Sequence, residues 1–233
     1  MLVLYKKELK YYLNNPIGYI VVALFAVFAN FLYVKDIFVV GSASLRSFFS
    51  LLPWIFLIFI PALTMRIISE ERRTNTIETL LTLPVSESHI VFSKFLALCT
   101  LTGIGLILTL GLPVSLFFLS KLYVLEIIAG YFGSLLLGAT FIGVTMFFSS
   151  QTKNQVVAFL ASIITLFILL VLGTDFMATV FPKALLDFLN YFTPQYHLAN
   201  FVKGVIDIRS VFYFLTLLTI SLFLTIISLE RRD

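Results

Sequence analysis

The side chains of this sequence whose types could do chemistry are few: the run Glu70-Glu71-Arg72-Arg73, two histidines, His89 and His197, and a single cysteine, Cys99. Carboxylates and imidazoles can ligate a metal ion, but no H-E-x-x-H pair occurs. A serine–histidine pair could not be told from the many serines that bond back to their own helices. Cys99 lies inside an apolar segment, which excludes a disulfide framework or a cysteine metal site and suits a small buried hydrophobe. The phosphate-binding pattern G-x-x-x-x-G-K-[ST] is absent, so no Walker-type nucleotide site is expected. No catalytic residue, metal ligand or bound cofactor is assigned. What is distinctive is the setting of the charged run, since residues 69–88 place dense charge between two segments apolar enough to cross a bilayer.

The elements that position this run follow from composition. Of 233 residues, 60% are hydrophobic and 12% charged, with 26 Phe. The mean hydropathy of +1.06 lies far above that of soluble domains. The formal charge of +4 could point to nucleic acid, but the basic residues are scattered at segment ends rather than gathered in a patch, so a nucleic-acid partner is not expected. A lipid bilayer is the expected partner. The apolar runs are continuous rather than alternating, which argues for helices and against a membrane β-barrel. Lys6, Lys7 and Lys10 precede an apolar run, but Ile17 to Val34 is long and has no A-x-A cleavage site, so it is a retained span rather than a signal peptide.

Six spans are predicted, at about 17–34, 48–66, 91–119, 126–149, 156–176 and 211–229. The chain is therefore expected to be a single all-α polytopic membrane domain, residues 1–233. An even number of spans puts both termini on one side. Lys6, Lys7, Lys10, Arg66, Arg72, Arg73, Lys94, Lys153, Arg231 and Arg232 share that side, and the positive-inside rule makes it cytoplasmic. The two histidines then fall on opposite sides, against a shared metal site. Residues 1–16 carry leucines and tyrosines among lysines and break at Asn14-Asn15-Pro16. This predicts an interfacial amphipathic helix on the inner leaflet, with a frayed basic tail as the alternative. Pro113 should kink the long third span. Gly130, Ser134 and Gly138 form a ridge of small residues at four-residue spacing on span four, suited to close helix packing.

In the insert, residues 67–90, the second helix is expected to continue beyond the membrane through Glu71. Thr74 or Asn75 can cap a new short helix with Glu78 in its first turn, and Pro84 ends it. Ile77, Leu80 and Leu81 would give that helix an apolar edge for a partner surface, and Ser86 and Ser88 can cap the next helix. The alternative is a solvated connection. Between spans five and six, residues 177–210 are too many for a plain loop. Apolar residues recur at helical spacing from Phe181 to Phe192 and, after Thr193-Pro194, from Tyr196 to Ile206. Two short interfacial or re-entrant helices on the outer side are predicted, with a surface cap remote from any cargo as the alternative.

Glu70-Glu71-Arg72-Arg73, Thr76-Ile77-Glu78-Thr79-Leu80-Leu81, Leu83-Pro84-Val85-Ser86 and Ser93-Lys94 together resemble the signature of type-2 ABC exporter permeases. Thr193-Pro194, His197-Leu198, Phe201, Gly204-Val205-Ile206-Asp207 and Leu229-Glu230-Arg231-Arg232 look like the branch that contains gliding-motility and copper-enzyme-maturation permeases. The resemblance implies a half-transporter in the cell inner membrane: an elbow helix, six spans, a cytoplasmic coupling helix and two outer helices. It implies ABC ATPase subunits, which would hold ATP and Mg, a second permease copy or paralogue, and an optional extracytoplasmic accessory subunit. The coupling role then falls on Glu70, Glu71, Arg72, Thr76, Glu78, Leu80, Leu81 and Pro84. The outer helices carry Pro194, His197, Phe201, Gly204 and Asp207. Asn75 stands where the family often has Gly before the Thr, and Asn tolerates a left-handed backbone. An intramembrane protease and an ion-coupled transporter or channel are the competing classes. The latter is disfavoured because Glu126 and Asp175 sit near span ends and Asn30 suits interhelical bonding.

Overall fold

Long runs of Leu, Ile and Phe without charge leave the backbone one way to satisfy its polar groups in lipid, which is to bond along its own helix. The computed structural model describes residues 1–40, 44–77, 86–117, 123–172, 174, 182 and 189–230, and among them every regular element is helical. In chain order these are α1 (Leu2–Asn14), α2 (Pro16–Val40), α3 (Arg46–Thr64), α4 (Ser69–Arg73), α5 (Glu87–Leu108), α6 (Gly111–Phe117), α7 (Val124–Gln151), α8 (Gln155–Val171), α9 (Pro194–Val202) and α10 (Ile208–Glu230). Five segments are long and apolar enough to cross a membrane: Gly18–Phe38, Arg46–Arg73, Glu87–Phe117, Val124–Gln151 and Ile208–Glu230. The remaining expected span corresponds to α8, which is apolar but has 17 residues, about 25 Å of helix at 1.5 Å per residue.

Proline sets two of the breaks. Asn15 is extended (φ −92°, ψ 128°) because Pro16 crowds a helical residue before it, and Pro16 opens α2 at a position where its missing N–H costs nothing. Pro113 would clash with the carbonyl four residues back, that of Thr109. Accordingly α5 ends at Leu108, Thr109 turns its N–H to the Leu106 carbonyl at 3.1 Å, and the helix resumes as α6. The expected kink is thus a break four residues before the proline. The Thr109 hydroxyl donates to the Leu106 carbonyl at 2.7 Å and lies 3.0 Å from the Tyr131 hydroxyl of α7.

The centre of the bundle is α7, which packs against α3, α5, α8, α9 and α10. Small residues allow that approach. A Cβ on Gly130 would fall within the Phe49 ring of α3, and one on Gly138 would come 3.2 Å from Thr102 of α5. Ser134 is fully buried and returns its hydroxyl to the Gly130 carbonyl at 2.7 Å, so it presents no polar atom to the seam. Gly133, one position along, receives the buried ring of Phe201 from α9. Against α3, α2 packs through Phe25 stacked on Phe56 and Tyr33 edge-on to Phe48, and its other side exposes Leu24, Val27, Phe28 and Phe31. Such an outward apolar face suits lipid rather than water.

Interhelical bonds define two ends of the bundle. At one lie α1, α4, the start of α5, the end of α7, the start of α8 and the end of α10. At the other, Arg46 pairs with Glu126, and Gly204, at φ +80°, packs on Glu126 where α9 turns toward α10. The helices nearest the two chain termini therefore share one end.

Candidate coupling site

The second span does not run straight into the charged insert. After Thr64 the chain turns through Met65–Ile68 and restarts as α4, Ser-Glu-Glu-Arg-Arg. A helix start exposes N–H groups without intrahelical partners. Here the hydroxyl of Ser149, from the end of α7, accepts the N–H groups of Ile68 (3.3 Å) and Ser69 (3.2 Å) and donates to the Met65 carbonyl at 3.0 Å. The Leu63 carbonyl, at the end of α3, accepts the Tyr12 hydroxyl of α1 at 3.0 Å. Burial, with Glu8 adding to it, pushes the Tyr12 phenol well above its ordinary range, so it stays protonated and able to donate.

Glu70, Glu71 and Arg72 of α4 are each tied to a different helix. Arg72 donates to the Ser228 carbonyl at 2.8 Å, in the last turn of α10, where carbonyls lack helical partners. Glu70 accepts from Arg73 at 2.6 Å and from the Gln155 amide of α8, whose oxygen accepts Arg66 Nε at 2.9 Å. Glu71 accepts Lys94 Nζ at 2.7 Å, and the same ammonium reaches Glu8 of α1 at 3.1 Å. The Lys94 side chain is 2% exposed. One buried cation from α5 thus joins α1 to α4.

Beyond α4 the Thr74 hydroxyl bonds back to the Glu70 carbonyl at 2.9 Å and lies 2.9 Å from the Thr76 hydroxyl. Asn75 takes a left-handed backbone, φ +56°, and helix resumes at Thr76–Ile77. Of the expected coupling residues, Glu70, Glu71, Arg72 and Thr76 come together at this corner, whereas Glu78, Leu80, Leu81 and Pro84 lie outside the described residues. Ser86 occupies the N-cap position of α5, but its hydroxyl makes no capping bond. It lies 2.8 Å from His89 Nδ1 and 3.0 Å from the Ser88 hydroxyl.

At the other end Pro194 opens α9 and Phe201 is fully buried. His197 is buried, stacked on Tyr213 with ring centroids 4.1 Å apart. Its Nε2–H donates to the Tyr191 carbonyl at 3.0 Å, which leaves Nδ1 to accept from Ser210 at 3.2 Å. Both bonds suit the neutral ring, and desolvation by burial holds its pKa below the ordinary 6.5. Asp207 accepts the Arg209 N–H at 3.0 Å and lies 3.4 Å from the Asn200 amide. These residues fasten α9 to α10. Among the described residues no three of His, Cys, Asp and Glu are grouped to hold a metal ion.

A family model described as ABC-2 family transporter protein matches residues 4–229, from the first turn of α1 to the last of α10. The chain belongs to the ABC-2 transporter family. It is the permease, the membrane subunit of an ABC transporter, of a kind that carries no ATPase site of its own. No curated protein matches the chain. In this ABC-2 permease the residues that sequence spacing missed are the partners of the charged run: Glu8, Tyr12, Ser149, Gln155 and Ser228, together with the central role of Lys94. The available signal was Lys94 itself, an ammonium carried in an apolar span, and Glu8, an acid placed among the lysines of α1.

Both buried ionisable sites make predictions for the isolated permease in detergent. Lys94→Met removes the cation from the buried Glu8 and the part-buried Glu71 and should cost about 3–5 kcal/mol of stability, seen as a lowered thermal midpoint; Glu8→Gln should cost less, and equal midpoints for Lys94→Met and wild type would refute the tie. Because the folded pKa of His197 is depressed, the unfolded chain binds the proton more readily. Stability held above pH 6.5 should therefore fall on acidification through that value, and His197→Gln should flatten this part of the pH–stability profile.

Proposed function

We propose that this ABC-2 permease is one half of an ATP-driven exporter, in which ATP hydrolysis by separate subunits works the spans through residues 67–90. The observation that carries this reading is the attachment of α4, through Glu71–Lys94–Glu8, Arg72–Ser228 and Ser149, to α1, α5, α7 and α10 together. A segment so tied passes a push to several helices at once, whereas a solvated connection would need no such bonds. In this reading the bundle has six spans, α8 being the fifth, and α1 is an elbow helix on the inner leaflet of the cell inner membrane. Both termini and the insert lie in the cytoplasm. The coupling role falls on the segment that starts at Thr76 and ends at Pro84, with Leu80, Leu81 and Pro84 toward the ATPase. Two permease copies, or this chain and a paralogue, sit on two ABC ATPase subunits that bind ATP and Mg. Closure of the ATPase pair biases the permease between two arrangements.

The cargo is hydrophobic or amphipathic, or the pair transmits force to a protein outside; α9 and the residues before it then form the outer cap where an accessory subunit would sit. Ion-coupled transport calls for buried charge within the spans. Among the described residues the buried charged side chains are Glu8 and Lys94, with Glu71 part-buried beside them at the α1 end, and the polar groups buried further into the spans, among them Asn30, Tyr33 and Thr102, are neutral.

Replacing Leu80 and Leu81 by Asp should abolish co-purification of the ABC ATPase from mild detergent at an unchanged membrane yield of permease. Retention of the ATPase by this double variant would remove the coupling-helix assignment, and function with a catalytically dead ATPase would remove the exporter reading.

A further inference from the structure

At the end of the bundle that holds the charged run, the arginines of that run, Arg66 and Lys94 are already engaged. Lys94 is enclosed by Glu8 and Glu71, Arg73 pairs with Glu70, and Arg66 and Arg72 donate to Gln155 and the Ser228 carbonyl. The lysines of α1 differ. Lys6, Lys7 and Lys10 are exposed, and among the described residues none of them forms an ion pair with a carboxylate. Three ammonium groups without an ion-pair partner within two helical turns repel one another, a repulsion that a bound anion would relieve.

The helical period sorts α1 into three strips. Glu8 and Tyr12 face the bundle and are buried; Lys7, Lys10 and Asn14 run along a second strip; Leu2, Leu9 and Leu13 run along a third. Leu2 is 73% and Leu13 51% exposed, a cost in water that disappears if the strip lies against acyl chains. Lys7, Lys10, Tyr11, Asn14, Asn15 and Pro16 line an open groove of about 560 Å³ at the corner between α1 and α2. Pro16 is also where the chain turns into the apolar span Gly18–Phe38. The groove therefore sits at the level of lipid headgroups, with apolar surface on both sides of it.

We propose that this groove binds the headgroup phosphate of an anionic phospholipid, with Lys7 and Lys10 as its cations and the Asn14 side-chain amide as a neutral donor. The inference rests on the proposed placement of α1 at the membrane surface and adds a ligand class to it. A lipid is favoured over a free anion because the groove is open and its cations are flexible and solvated, so a soluble phosphate would gain little by entering it. A lipid phosphate is already held there by its acyl chains, and the anionic leaflet raises its local concentration.

The test uses the full-length permease, with the ATPase that co-purifies with it, in mild detergent. Phosphatidylglycerol or phosphatidylcholine is added at matched mole fraction, and retained lipid is counted by native mass spectrometry alongside the thermal midpoint. Wild type should retain several-fold more phosphatidylglycerol and melt higher with it. Lys7→Gln with Lys10→Gln should erase both differences, Lys7→Arg with Lys10→Arg should keep them, and Lys6→Gln, outside the groove, should keep them as well. Equal retention of the two lipids by wild type, or an unchanged preference in the double Gln variant, would overturn the proposal. Displacement of the lipid by millimolar glycerol phosphate would overturn it in favour of a free-anion site. ATPase co-purification is scored in the same samples: loss of lipid preference with the ATPase retained refutes this inference alone, whereas loss of the ATPase from wild type bears on the exporter reading.

Discussion

An ammonium group kept out of water has to be matched by charge, and the arrangement of this permease at one end of the bundle depends on that requirement at Lys94. Its side chain is 2% exposed on an otherwise apolar helix, and an unpaired ion so placed would cost several kcal/mol. Glu8 and Glu71 supply the match from two different elements. The N-terminal α1 and the charged α4 can both separate from α5 only by exposing or orphaning that charge. Hydrophobic packing alone would not fix them in this way, because in lipid apolar surfaces gain little by choosing each other over acyl chains.

Around this knot the helices are broken at three places. Asn15 separates α1 from α2, the Met65–Ile68 turn separates α3 from α4, and Asn75 at φ +56° separates α4 from the helical turn at Thr76–Ile77. The turn at the foot of α3 frees backbone groups, and Ser149 and Tyr12 meet them from neighbouring helices. The unit formed by α1, α4 and the start of α5 is thus joined through Lys94 and bounded by these breaks. It rests on α7, whose glycines let Phe49 and Phe201 close on it and whose last turn holds both α4 and α10.

Much of this architecture is legible from sequence because it obeys local rules. Continuous apolar runs mark the spans, Asn14-Asn15-Pro16 marks the first corner, and the ridge of Gly130, Ser134 and Gly138 marks a close-packed face. The place of Asn75 before Thr76 marks a left-handed position. Boundaries are harder: α2 runs on to Val40, past the residue expected to end it, because Lys35 and Asp36 are tolerated in a helix even where they end an apolar run. Sequence points to Pro113 for the break that falls at Thr109, since the carbonyl that a proline displaces lies a turn before it. The partners of the charged run escape entirely. Glu8 and Lys94 are 86 residues apart, and Ser149 lies 80 residues from Ser69; no periodicity links them, and only the folded bundle brings them together.

Because Lys94 fastens both, α1 and α4 should move as one body when the ATPase acts. Spin labels at Lys6 and Arg73, both exposed, in a Cys99→Ser background report the distance between these helices directly. In the assembled transporter this distance should be the same without nucleotide and with ATP trapped in a hydrolysis-deficient ATPase, while the distance between the Arg73 labels of the two permease copies changes. A nucleotide-dependent change in the Lys6–Arg73 distance within one chain would contradict it.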